Sequence, residues 1–139
     1  MADTTKIGNA AAIAEADAFA ALLNSGYLRI YDSTGGTGQP ATVDTLIGSQ
    51  ILLAELTFAA TAKASNTNGV IVFAAIGSDT DANANGTATW FRAFKTDGTT
   101  PVWDGSVGTV GATLNLNSNV ISIHAQVDVT SLSYTVNKG

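Results

Sequence analysis

Apolar and polar positions follow one rhythm up to Gly26 and another after it. Ile13, Ala16, Ala20 and Leu23 recur at the i, i+3, i+7 and i+10 spacing of a single helical face, with Phe19 and Leu22 beside it. This spacing predicts one α-helix over residues 9–24. Asn9 is the expected N-cap, and Glu15 and Asp17 lie in the N-terminal half, where the helix dipole favours negative charge. Gly26 supplies the expected C-terminal stop. Residues 1–8 read as a loose polar arm.

Beyond Gly26 the period falls to two, the mark of strands. In residues 27–32, Leu28 and Ile30 share one face, and Tyr27, Arg29 and Tyr31 the other. A Gly/Thr/Pro loop is expected from Ser33 to about Gly48. Residues 51–58 place Leu52, Ala54, Leu56 and Phe58 inward and Glu55 and Thr57 outward. Residues 70–76 are apolar on both faces, as in a central or interface strand. Further strands are expected at 87–95, which holds Trp90, Phe91 and Phe94, near 102–103 after the tight turn at Asp97-Gly98, and around 114–117.

The last segment changes phase. Ile121, Ile123, Ala125, Val127 and Val129 occupy odd positions, then Leu132, Tyr134 and Val136 even ones. A slip of one residue turns every side chain over, so a bulge or break is expected near Thr130-Ser131. Roughly eight strands with turn signals between them predict one mainly β domain over residues 1–139, with strands across 27–136: a sandwich, jelly roll or small barrel. No internal repeat stands out.

Composition narrows the role. A chain of 139 residues fits one domain and can bury a sizeable core without staples, and it contains no Cys. That is compatible with a reducing compartment. Six Lys and Arg against eleven Asp and Glu leave a net charge of −5. The basic residues Lys6, Arg29, Lys63, Arg92, Lys95 and Lys138 are scattered, which disfavours direct nucleic-acid binding and docking on anionic membranes. Only 12% of residues are charged, and Gly, Ala, Thr, Ser and Asn fill their place. Such a surface costs little side-chain entropy to immobilise and suits a module packed against a partner. The Ala-rich stretch 10–23 is broken by Glu15 and Asp17 and lacks a basic flank, so neither a signal peptide nor a membrane span is expected.

Candidate chemistry is sparse. Asp81-Ala82-Asn83-Ala84-Asn85-Gly86 matches the opening of a calcium loop, but the twelfth position, which should be a bidentate Glu, is Arg92. Asn and Asp alternating with Ala and Gly also make ordinary turns, and the turn reading is preferred. His124 is the single histidine and alternates away from the apolar row, so a polar surface contact is expected of it and not a catalytic role. Asp79, Asp81, Asp97 and Asp104 raise the question of paired carboxylates, yet Asp97 and Asp104 precede Gly98 and Gly105 as in turns. Glycines 35, 36 and 38 lack the context of a phosphate-binding fingerprint and mark a loop. Trp90, Phe91, Phe94 and Trp103 fit either core filling or a sugar-binding platform, with the core favoured. The sequon Asn85-Gly86-Thr87 is discounted because no secretory route is visible. Catalytic, cofactor-binding and metal-binding residues are therefore all expected to be none.

Several runs carry a more specific likeness. They are Leu28-Arg29-Ile30-Tyr31-Asp32, Gln39-Pro40-Ala41-Thr42 and Leu52-Leu53-Ala54-Glu55-Leu56-Thr57-Phe58, followed by Gly86-Thr87-Ala88-Thr89-Trp90-Phe91-Arg92. Asp97-Gly98, Asp104-Gly105-Ser106-Val107-Gly108, Leu114-Asn115-Leu116-Asn117 and the closing Val/Ile/Thr strand complete them. Over about residues 9–136 the chain resembles the capsid cement (decoration) proteins of tailed double-stranded DNA bacteriophages, of the jelly-roll kind. The resemblance implies an antiparallel β-sandwich of jelly-roll type with one N-terminal α-helix. It implies a virion protein made in the host cytoplasm, placed on the outer surface of the capsid, which bridges neighbouring copies of the major capsid protein. It also implies a homodimer and no enzymatic activity, and it assigns no capsid-binding residues. On this reading the arm at 1–8 orders only on docking. The competing expectation is a carbohydrate- or receptor-binding β-module of a phage tail or surface structure, using the aromatics and the 33–48 loop.

Overall fold

A computed structural model describes residues 4–33 and 38–139. Helix α1 (Asn9–Leu22) is followed by nine strands: β1 (Tyr27–Asp32), β2 (Ile51–Thr57), β3 (Lys63–Thr67), β4 (Val70–Phe73), β5 (Gly86–Phe94), β6 (Pro101–Gly108), β7 (Leu114–Leu116), β8 (Val120–Ile121) and β9 (Val129–Thr135). They form one curled sheet in the order β2-β1-β5-β6-β7-β9-β4-β3, with β8 paired to β5. A single hydrophobic cluster fills the concave side, drawing Leu28, Ile30, Leu56, Ile71, Phe91 and Leu114 from strands along the whole order.

The expected class, mainly β with one helix, is present, but the sheet is mixed and not purely antiparallel. β6 and β7 run parallel through Val107–Leu114 and Gly108–Asn115. Parallel neighbours ordinarily need a long crossover. Here the overlap is confined to the end of β6 and the start of β7, so the chain has to step back by only about one residue. A short loop suffices, with Gly111 at φ 75°.

The helix begins and ends differently from expectation. Its N-cap is Gly8, without a side-chain cap, and Asn9 is the first helical residue, its Oδ1 accepting from Lys138 Nζ at 3.0 Å. At the other end Ser25 takes the left-handed conformation (φ 55°) that the sequence assigned to Gly26. Gly26 is required for another reason: a Cβ there would lie 2.2 Å from the Phe94 carbonyl oxygen. The covered stripe is Ala12, Ala16, Ala20 and Leu23, with Ile13 and Phe19 half-buried and Leu22 exposed. Alanines at every fourth position let the helix backbone approach β3 and β4 closely. Ala12 comes so near Gly69 that a Cβ on that glycine would stand 2.8 Å from its own.

Strand β3 is not visible as alternation because Lys63-Ala64-Ser65-Asn66-Thr67 holds no apolar face. It exists through its hairpin with β4, closed by Asn68 and Gly69 at φ 52° and 92°. Two further corrections concern register. In β2 the pairing to β1 skips Leu53, so Leu53 is buried and Leu52 only half-buried, the reverse of simple alternation. The odd-numbered row from Ile121 to Val129 is no continuous strand, since the chain leaves β8 and turns at 122–125 with His124 at φ 68°. The bulge expected near Thr130-Ser131 is present: Asn115 pairs with Ser131 and Leu116 with Val129, which leaves Thr130 unpaired.

The arm is partly seated. Ile7 donates its N–H to the Lys138 carbonyl at 3.0 Å and packs on the core, so residues 4–8 already lie against the C-terminal segment. Residues 1–3 of the expected arm and 34–37 of the expected loop, with Gly35 and Gly36, lie outside the described residues. Among the described residues no helix is long and apolar enough to cross a membrane.

Candidate functional site

The acidic loop after β4 uses its oxygens to hold the chain together. Asp79 accepts the Glu55 N–H at 2.8 Å through Oδ2 and the Asp81 N–H at 2.9 Å through Oδ1, which ties the loop to β2. Asp81 Oδ1 lies 2.5 Å from His124 Nδ1, and Asn85 Oδ1 accepts the Ile123 N–H at 2.8 Å. The segments 79–85 and 122–125 thus clasp each other, with His124 N donating to the Ala82 carbonyl. His124 and Asp81 are both 74% exposed, so water competes for their pairing. Among the described residues no group of three or more His, Cys, Asp or Glu is placed to hold a metal ion. The amide of Asn85, first residue of the sequon, is engaged in the same clasp.

The four aspartates singled out in the sequence are each held by their own partners. Asp97 caps the β5–β6 hairpin: its carboxylate accepts from the Thr99 and Thr100 N–H groups at 2.9 and 2.8 Å and from the Thr100 hydroxyl at 2.5 Å. Those bonds, the Thr100 hydroxyl first, pull its carboxyl from the ordinary 3.8 to about 2. Asp104 and Gly105, expected at a turn, lie instead within β6 paired to β5, where Arg92 Nε and Nη2 donate to the two Asp104 oxygens at 2.7 and 2.8 Å. On the helix, Asp17 accepts from Asn66 and Lys63, which hold its carboxyl below the usual range.

Arg92, weighed above as the discordant twelfth position of a calcium loop, is the centre of a second packed layer. Its remaining N–H groups reach the carbonyls of Thr45 at 2.6 Å and Thr42 at 3.3 Å. Residues 42–47 are thereby strapped over the convex side of β1 and β5, and Gln50 Nε2 closes the strap's base on the Gly38 carbonyl at 2.9 Å. What the sequence presents as a flexible loop is, for residues 38–50, pinned.

The aromatics divide between the two sides of the sheet. Trp90, Phe91 and Phe94 are buried, with Trp90 only 1% exposed. Trp90 stacks on Tyr31 at 4.6 Å, and burial pushes the Tyr31 phenol above its ordinary 10.0. Phe91 faces the opposite side and joins Trp103, which sits between Phe19, Phe73 and Tyr134 at centroid distances of 5.4, 6.0 and 5.5 Å. The four residues therefore divide between two layers and build no common platform.

Sequence reasoning missed the exposed apolar residues. Leu46 at the strap is 88% exposed, Val110 86% and Val120 66%, and Val70 and Val72 of β4 are open to solvent. The one sequence signal was the two-sided apolar character of residues 70–76, of which Val70–Phe73 is the strand. Set against protein-family models, curated proteins and solved structures, the chain matches none.

Proposed function

We propose that this protein is a structural virion protein that binds the outer surface of a phage capsid and cements neighbouring copies of the major capsid protein. One observation carries the reading. Most of the sequence runs that resemble cement proteins fall on β2, β1, β5, β6, β7 and β9, which are consecutive neighbours in the sheet, while residues 39–42 and Asp97-Gly98 lie in connections between strands. The residues that carry the resemblance thus lie mostly together in the sheet. A jelly-roll ancestry of the fold belongs to the same proposal, the parallel β6–β7 contact being a local departure from it.

The chemistry on the surface is in keeping with this role. The strap and hairpin turns are held by internal hydrogen bonds, so a partner would meet a preorganised surface and lose little entropy in ordering it. A repeating shell makes modest contacts sufficient, because each bound copy is reinforced by its neighbours. Particles imaged with and without the protein should differ by density on the head, and heads lacking it should release DNA at a lower temperature. Density on the tail, or equal heat resistance, would count against cementing.

A further inference from the structure

The convex face of β3, β4 and β9 consists of two cross-strand rows. Ser65 pairs with Val72 and Val72 with Ser133; Thr67 pairs with Val70 and Val70 with Thr135. Directly paired residues point to the same side of a sheet, so each row reads hydroxyl, valine, hydroxyl. All six residues are exposed. The other side of these strands carries Ile71, Phe73 and Tyr134, the last stacked on Phe19 of α1 at 3.7 Å. A groove of about 330 Å³ prolongs the open face from Val72 and Ser133 to Ile76 and Val129, and no charged residue lines it.

This end of the sheet ought to carry charge. β3 is the terminal strand of the order, and exposed sheet ends ordinarily present outward charges that block unwanted pairing. The charged residue of β3, Lys63, instead meets Asp17 of α1 at 2.8 Å, on the helix side. The two rows hold no charge, on a chain whose net charge is −5. Valine and threonine in strands are stiff at χ1, so covering them costs little entropy.

We infer that this face is the docking surface through which the protein meets the capsid shell, an inference that rests on the cementing role above. The occupant is an uncharged patch of apolar and hydroxyl groups on the major capsid protein, repeated over the shell. Area separates that occupant from a second copy of this chain. Three strands about 4.8 Å apart and about five residues long present on the order of 250 Å² per side. A stable pair buries about 800 Å² per partner. A dimer through this face alone is therefore too small to persist in solution, whereas a shell engaging many copies needs only weak single contacts.

The test uses shells of the phage prepared without the protein, incubated with wild type, Val72→Glu and Leu46→Glu and pelleted to count bound copies. Both substituted positions are open, 49% and 88% exposed. Ser133→Lys, at the position paired with Val72, serves as a second probe if Val72→Glu folds poorly. Val72→Glu should weaken binding by about tenfold or more. Leu46→Glu should bind like wild type, and no variant should differ from wild type in the oligomeric state read by sedimentation. Equal binding by wild type, Val72→Glu and Ser133→Lys overturns the assignment of the face. So does a loss confined to Leu46→Glu, which would move docking to the strap, and so does a solution dimer that Val72→Glu splits. A wild-type protein that leaves shells bare removes the cementing role itself and this inference with it, an outcome distinct from the others.

Discussion

Arg92 and Asp104 face each other across β5 and β6 as a two-bonded ion pair, with side chains only 2% and 4% exposed, and the same guanidinium holds the strap by two carbonyls. Desolvating two charges is costly, and their attraction in a dry site offsets that cost only while both are present. Asp104→Ala leaves the guanidinium buried and half-unpaired, and should cost about 3–5 kcal/mol in urea unfolding. Replacing both partners by Met and Leu should cost clearly less than the two single changes added together. Proteolysis within residues 38–50 should accelerate in each Arg92 variant, because the strap loses its anchor. A strap that stays protected after Arg92→Met would refute the anchoring role.

Asp97 gives the β5–β6 hairpin an acid-sensitive element. Its folded pKa of about 2 lies below the ordinary 3.8, so its contribution is complete above about 3.8 and is lost as pH falls through about 2. Wild type should melt above Asp97→Ala at neutral pH, and the gap should close between these two values. A gap that stays constant down to pH 2 would show that the Thr99 and Thr100 bonds do not depend on ionisation.

Gly26→Ala places a methyl group 2.2 Å from the Phe94 carbonyl oxygen, a backbone atom that cannot turn aside. The substitution should cost about 3 kcal/mol or more, at the upper end of single-residue effects. Gly8→Ala, where a Cβ meets nothing within 4 Å, should cost only about 1 kcal/mol, the loss of a preferred N-cap residue. Thermal melts of the pair separate close packing from a general intolerance of alanine near the helix ends.

Trp103→Ala removes the ring shared by Phe19, Phe73, Phe91 and Tyr134 and should cost about 3 kcal/mol. The same variant, if still folded, should lose no glycan binding on an array. A specific glycan signal that vanishes with Trp103 while stability is unchanged would favour the receptor-binding reading instead.

The helix, the strands at 27–32, 51–57 and 86–94, and the bulge at Thr130 were legible because each rests on local spacing. Others were hidden for equally physical reasons. β3 has no apolar alternation to read, and its place in the sheet comes from a turn at Asn68-Gly69 and from β4. The inward residue of β2 became Leu53 because a partner strand skipped it, which only the pairing can reveal. In the candidate site, the turn reading of Asp97 followed from short-range chemistry, whereas that of Asp104 failed because Asp104 lies within β6 opposite Arg92, and the strap bound by Arg92 lies about fifty residues away in sequence.

By itself, then, the order of residues determined a mainly β structure with one helix, low charge and strand edges set by Gly and Asn turns, since periodicity and turn chemistry act between near neighbours. The tertiary structure decided which strand faces are covered. Trp90 and Phe94 are buried on the side of β5 that carries Arg92 and its bonds to the strap, while the uncharged outer side of β4 stays open. A strand sequence states that two faces are apolar, but only the path of distant chain segments determines which of them meets water.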